Sequence, residues 1–99
     1  MAEKLNKEQV ENSLKSLTGW KYAEGSNGVY IKKTYSTSGY PVTMGLVSAI
    51  GSVCQRLNHH PDYILMKYKE LEVSFSTHSV GGITEKDIEA AKELEKIHF

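Results

Sequence analysis

The chain has 99 residues, 39% of them apolar and 24% charged, with 12 Lys and Arg against 12 Asp and Glu. That length makes one small domain, 1–99, and the apolar content suits a packed core and excludes a disordered tail. Zero net charge, with no basic cluster beyond Lys32-Lys33, argues against a nucleic-acid face, and the single Cys54 excludes a disulfide framework or a cysteine zinc site.

The first predicted element is a helix that opens on its own cap. Asn6 can accept from the amide of Gln9, whose side chain can reach back, and Leu5 and Val10 sit at staple spacing. Val10, Leu14 and Leu17 form its apolar stripe, and Thr18-Gly19 should end it. Two strands are expected next, Trp20–Glu24 and Val29–Tyr35, joined through Gly25-Ser26-Asn27-Gly28, residues that tolerate a tight reversal.

Pro41 suits the first turn of a second helix that runs to Leu57. Met44, Val47, Ile50, Cys54 and Leu57 make its main stripe, with Leu46 and Val53 beside it. That is more apolar circumference than one sheet contact needs, and it fits either deep burial or a helix-to-helix subunit contact. Strands Asp62–Tyr68 and Leu71–Thr77 follow, with a two-residue turn expected at Lys69-Glu70. Thr84 with Asp87, and Ile83 with Ile88, repeat the capping logic and start a third helix whose stripe is Ile88, Ala91, Leu94 and Ile97. The order α-β-β-α-β-β-α implies an α+β fold: a four-stranded antiparallel sheet with three helices packed on one face.

The stretch Met1–Leu14 lacks the apolar core of a signal peptide. Val42–Cys54, the longest weakly polar run, is too short and too interrupted to span a bilayer. A cytoplasmic protein without a membrane partner is expected.

Histidines are the side chains whose ordinary pKa lies near neutrality. His59 and His60 precede the third strand and His78 follows the fourth. With the turn at Lys69-Glu70, Tyr68 pairs with Leu71, Met66 with Val73 and Ile64 with Phe75, so Pro61 falls opposite His78. Directly opposed residues have Cα atoms roughly 4.5–5.5 Å apart, so these histidines converge at one end of the hairpin. Three chemistries fit such a cluster: structural histidines, a zinc site, or general acid–base catalysis. The adjacency of His59 and His60 makes a shared metal geometrically awkward. Cys54 reads as core, not as a nucleophile.

Asn58-His59-His60-Pro61-Asp62-Tyr63, then Ser76-Thr77-His78-Ser79, then Gly81-Gly82-Ile83-Thr84 with Asp87, resemble the signature of the pterin-4a-carbinolamine dehydratase family. Gly19-Trp20 also falls where that family has a Gly-Trp pair. The resemblance covers nearly the whole chain. It implies dehydration of 4a-hydroxytetrahydrobiopterin to the quinonoid dihydropterin, a step that recycles a pterin cofactor. It implies His59, His60 and His78 as catalytic residues, and substrate contacts from Asn58, Pro61, Ser76, Thr77, Ser79 and Asp87. The pterin is then the substrate, and neither metal nor resident cofactor is expected. A homodimer or homotetramer is implied, as is an alternative role as a non-catalytic pterin-binding or protein-interaction module. Two positions depart from the pattern: Gln55 stands where Glu is frequent, and Tyr63 where Trp is common.

Overall fold

The computed structural model describes residues 3–99; Met1 and Ala2, part of the stretch read for a targeting signal, lie outside it. Helix α1 (Lys7–Leu14) begins with the expected reciprocal cap, the Gln9 amide donating to Asn6 Oδ1 at 2.8 Å and the Asn6 amide to Gln9 Oε1 at 2.9 Å. It stops at Leu14, short of Thr18-Gly19. Leu17 and Trp20 then round two tighter turns, their amides reaching the carbonyls of Leu14 and Leu17. Both residues are nonetheless buried in the core.

Strands β1 (Lys21–Gly25) and β2 (Gly28–Ser36) form the predicted hairpin, with Gly25 opposite Gly28 and Gly28 at φ +120°. Helix α2 spans Tyr40–Leu57, strand β3 Tyr63–Met66, strand β4 Glu70–Phe75 and helix α3 Glu85–Leu94. The strand order is β1-β2-β4-β3, antiparallel throughout. Ile31 and Tyr35 of β2 and Leu71, Val73 and Phe75 of β4 point to one side, where they meet Val10 and Leu14 of α1, Leu46, Ile50 and Cys54 of α2, and Ile88, Ala91 and Leu94 of α3. Alternation sends Tyr30, Lys32, Thr34, Tyr63, Leu65 and Glu72 to the opposite, helix-free face. No helix among the described residues is long and apolar enough to cross a membrane.

Two expectations fail for one reason. The β3–β4 pairs are Tyr63 with Ser74, Ile64 with Val73, Leu65 with Glu72 and Met66 with Leu71. The turn therefore lies at Tyr68-Lys69, closed by the Lys67 amide on the Glu70 carbonyl at 2.8 Å, one residue before the expected Lys69-Glu70. In α2 the buried stripe is Thr43, Leu46, Ile50 and Cys54, while Met44 is 47% exposed. Thr43 links the two corrections. Its buried hydroxyl lies within hydrogen-bonding reach of the Tyr68 and Gly39 carbonyls, 3.0 Å from each, and of the Thr37 hydroxyl at 2.6 Å. The Thr37 amide takes the carbonyl of Lys69 at 2.8 Å, and Ser36 of β2 pairs with Glu70. These neighbours draw Glu70 into the ladder and rotate Thr43, not Met44, inward. The slip moves each partner by two residues, so every side chain keeps its face.

Candidate active site

Helix α2 ends because Asn58 adopts the left-handed backbone, φ 53° and ψ 39°, a conformation Asn tolerates better than most residues. The amides of Asn58 and His59 then close on the carbonyls of Gln55 and Cys54 at 3.2 and 3.1 Å. The chain reverses there, and the two adjacent histidines part. His59 turns inward, its side chain 14% exposed and its ring stacked on Phe75 with centroids 5.9 Å apart. His60 stays outside, its Nε2 3.0 Å from Oε1 of Gln55 on the last turn of α2.

His78 arrives from the other side. Strand β4 stops at Phe75 instead of Thr77, and Thr77 makes a lone bridge to Gly82 around a 3₁₀ turn at His78–Val80. Gly81 permits that tight return with φ +66°. The His78 side chain is 80% exposed, with Nε2 2.6 Å from Oδ1 of Asp62.

Each ring thus rests on one fixed oxygen. For His59 it is Asp87 Oδ1, at 2.5 Å from Nε2. Asp87 is fully buried at the start of α3, where it also accepts from the Thr84 amide at 2.9 Å and the Thr77 hydroxyl at 2.8 Å. For His78 it is Asp62, whose two oxygens each lie 2.9 Å from the Ser76 hydroxyl and whose own amide donates to the Ser74 carbonyl at 2.8 Å. For His60 it is the uncharged amide of Gln55. Carboxylate oxygens accept, so in His59 and His78 Nε2 carries the hydrogen and Nδ1 is the nitrogen left for other work, while the Gln55 amide holds the Nε2 side of the His60 ring.

A cavity of about 260 Å³ lies among them, lined by all three histidines together with Asn58, Ser76, Thr77 and Ser79. Of the other substrate contacts expected from the sequence, Pro61 does not line this cavity, and Asp87 sits beneath it, reaching it only through His59. Lys86 completes the lining and was not anticipated. A cation in the first turn of a helix opposes the helix dipole, and that anomaly was a legible signal. Asp62 was also missed as a site residue, because its contact with His78 depends on the true hairpin pairing. No three His, Cys, Asp or Glu side chains among the described residues are arranged to hold a metal ion. Burial pushes the Cys54 thiol up from its ordinary value, away from nucleophilic use.

The family described as pterin 4 alpha carbinolamine dehydratase matches residues 3–97. Proteins from Aquifex aeolicus and Sulfolobus acidocaldarius, both named "Putative pterin-4-alpha-carbinolamine dehydratase", are 37% and 33% identical to the chain. The alignments span 98% of this chain and 93% of the first protein, and 95% of this chain and 98% of the second. Among solved structures, a transcriptional coactivator/pterin dehydratase from Brucella melitensis superposes with a TM-score of 0.83 at 25% identity, covering 94% of this chain and 96% of its own. A pterin dehydratase-like protein described as a RuBisCO assembly factor of the alpha-carboxysome shares the fold alone, with a TM-score of 0.64 at 16% identity over 78% of this chain and 86% of that one. On the family match and these full-length relatives, the chain belongs to the pterin-4a-carbinolamine dehydratase family.

Proposed function

We propose that the protein dehydrates a 4a-hydroxytetrahydropterin, with 4a-hydroxytetrahydrobiopterin as the reference substrate, to the quinonoid dihydropterin and water. One observation carries the reading: three imidazoles, each held through Nε2 by a fixed oxygen, share one cavity. The reaction breaks the C4a–O bond and removes the N5 proton, and the C4a=N5 double bond forms. One protonated ring gives Nδ1–H to the departing hydroxyl, and a neutral ring takes the N5 proton on its Nδ1 lone pair. Proton delivery and removal then balance, and no electron changes hands. General acid–base help of this kind is worth about 10²–10⁴ in rate. The Lys86 ammonium, at the rim of the cavity, suits the carbonyl or ring nitrogens of the pterin's far edge. The pterin enters as substrate, not as a resident cofactor.

The reading places the protein in the cytoplasm as a homodimer or homotetramer that recycles pterin for a hydroxylase. The exposed side chains of Tyr40, Met44 and Tyr68, on the outer side of α2 and the β3–β4 turn, supply apolar surface for a subunit contact. The same patch supports a second reading, a pterin-binding or protein-interaction module without turnover. Dehydration of a synthetic carbinolamine, followed by absorbance with and without the protein, separates the two. A rate proportional to protein concentration is expected; pterin binding with no acceleration would leave the module.

A further inference from the structure

Two glycines precede α3, and the backbone explains only the first. Gly81 takes the left-handed φ of +66°; Gly82 does not, yet a Cβ there would stand 2.5 Å from Cδ and 3.0 Å from Cγ of Lys4. The chain ahead of α1 therefore crosses directly over Gly82. Beside that crossing the Leu5 amide donates to the Ile83 carbonyl at 2.7 Å. Ile83 is fully buried, so its carbonyl has no water to replace that donor.

The stretch held in this way is a joint of the site. The Thr77 amide donates to the Gly82 carbonyl at 2.7 Å, and the Gly82 amide returns to the Thr77 carbonyl at 3.3 Å. The Thr77 and Thr84 hydroxyls lie 2.8 Å apart, and the Thr84 amide donates to Asp87 at 2.9 Å. His78 follows Thr77 in the chain, and His59 rests on Asp87. Both rings thus depend on residues 82–84, whose outer edge is covered by Leu5.

We propose that Leu5 is a positioning residue: through its amide, the segment ahead of α1 clamps residues 82–84 from outside and so sets His78 and the Asp87–His59 pair against the cavity. Gly82 lacks a side chain because the Lys4 stem occupies the space a Cβ would need. His60 is held from elsewhere, by Gln55 on the last turn of α2, and stands as the internal control. The proposal rests on the dehydratase reading for its effect on rate, but not for its effect on the rings.

Imidazole proton–nitrogen correlation spectra and kcat/KM on a synthetic carbinolamine, both recorded well below each variant's melting temperature, test it. Leu5→Pro removes the amide donor. It should move the His59 and His78 resonances, leave those of His60 in place, and lower kcat/KM by about 3–10-fold, the worth of one hydrogen bond. Leu5→Ala keeps the amide and should do neither. Gly82→Ala should displace the same two rings by driving the Lys4 stem and its neighbour outward, and adding Lys4→Ala should bring them back. This pair decides the matter if Leu5→Pro does not fold. A His78 resonance unmoved in Gly82→Ala, with Leu5→Pro either unmoved or unfolded, would overturn the clamp, as would equal shifts at His60. A wild-type protein without turnover, whose His59 and His78 resonances still move in Leu5→Pro, would overturn the dehydratase reading and leave the clamp standing.

Discussion

His59 and Asp87 are 28 residues apart in the chain, yet imidazole Nε2 and carboxylate Oδ1 stand 2.5 Å apart. The other Asp87 oxygen caps α3 through the Thr84 amide and accepts from Thr77. One side chain therefore starts a helix and aims a histidine. Asp87→Asn should fold and slow dehydration by about tenfold or more, because the ring loses its charged acceptor. Asp87→Ala should also lose about 1–3 kcal/mol of stability in urea, since it strands buried donors. An Asn variant with wild-type turnover would confine Asp87 to a structural role.

His59→Ala and His60→Ala should each reduce the dehydration rate about 10²-fold or more, with near-native circular dichroism because both lie outside the regular elements. His59→Ala alone should also lower stability, because it strips the buried Asp87 of its ring partner. The double variant should cost less than the product of the single losses if the rings act as a unit. His78→Ala should raise KM at least as much as it lowers kcat. Folded single variants that turn over like the wild type at pH 7 would make the histidines structural.

Gln55 gives His60 an uncharged oxygen at 3.0 Å. In Gln55→Glu a carboxylate takes that place and favours the imidazolium form of the ring. The pH–rate profile of the variant should shift to higher pH, while the melting temperature stays nearly constant. A profile that superposes on the wild type would separate Gln55 from the chemistry.

Glu95 fastens the end of α3 to the sheet. Its carboxylate accepts from Lys33 at 2.9 Å, Trp20 at 3.0 Å and Tyr35 at 3.0 Å. Burial pushes this carboxyl up, but those three donors outweigh it and hold its pKa below the ordinary value of 4.5. A lowered folded-state pKa stabilises the fold above the ordinary value, and that stability is lost as pH falls through the lowered one. Glu95→Gln should therefore be less stable than wild type at pH 7, by about 1–3 kcal/mol. The gap between the two should close as the pH drops below the ordinary carboxylate range. Urea melts at several pH values check this; a gap independent of pH would refute it.

Light scattering should give a mass that is a multiple of 11.1 kDa. Met44→Glu, on the exposed side of α2, should shift that mass toward the monomer without unfolding the chain. A monomer for the wild type at high concentration would dismiss the assembly.

Short-range chemistry was enough to determine much of this protein. Both reciprocal caps, at Asn6 with Gln9 and at Thr84 with Asp87, and the Gly25–Gly28 turn involve residues a few positions apart, so their partners are written next to them. The period-two alternation of Leu71, Val73 and Phe75 likewise marked the core face of the sheet. The convergence of His59, His60 and His78 survived a misplaced turn because the antiparallel pairing of β3 with β4, in either register, brings the chain entering β3 beside the chain leaving β4.

Tertiary structure decided the rest, wherever a distant hydrogen bond outranked a local preference. Thr43 took the inward place offered to Met44 because its hydroxyl bridges Tyr68 and Gly39, and those contacts also placed the hairpin turn. Asp62 became the partner of His78 only once the pairing of β3 with β4 brought their two ends together. The histidines were legible as residues; their orientation was not. It rests on Asp87, Gln55 and Asp62, oxygens brought within bonding distance by the packing of α3, the end of α2 and the second hairpin.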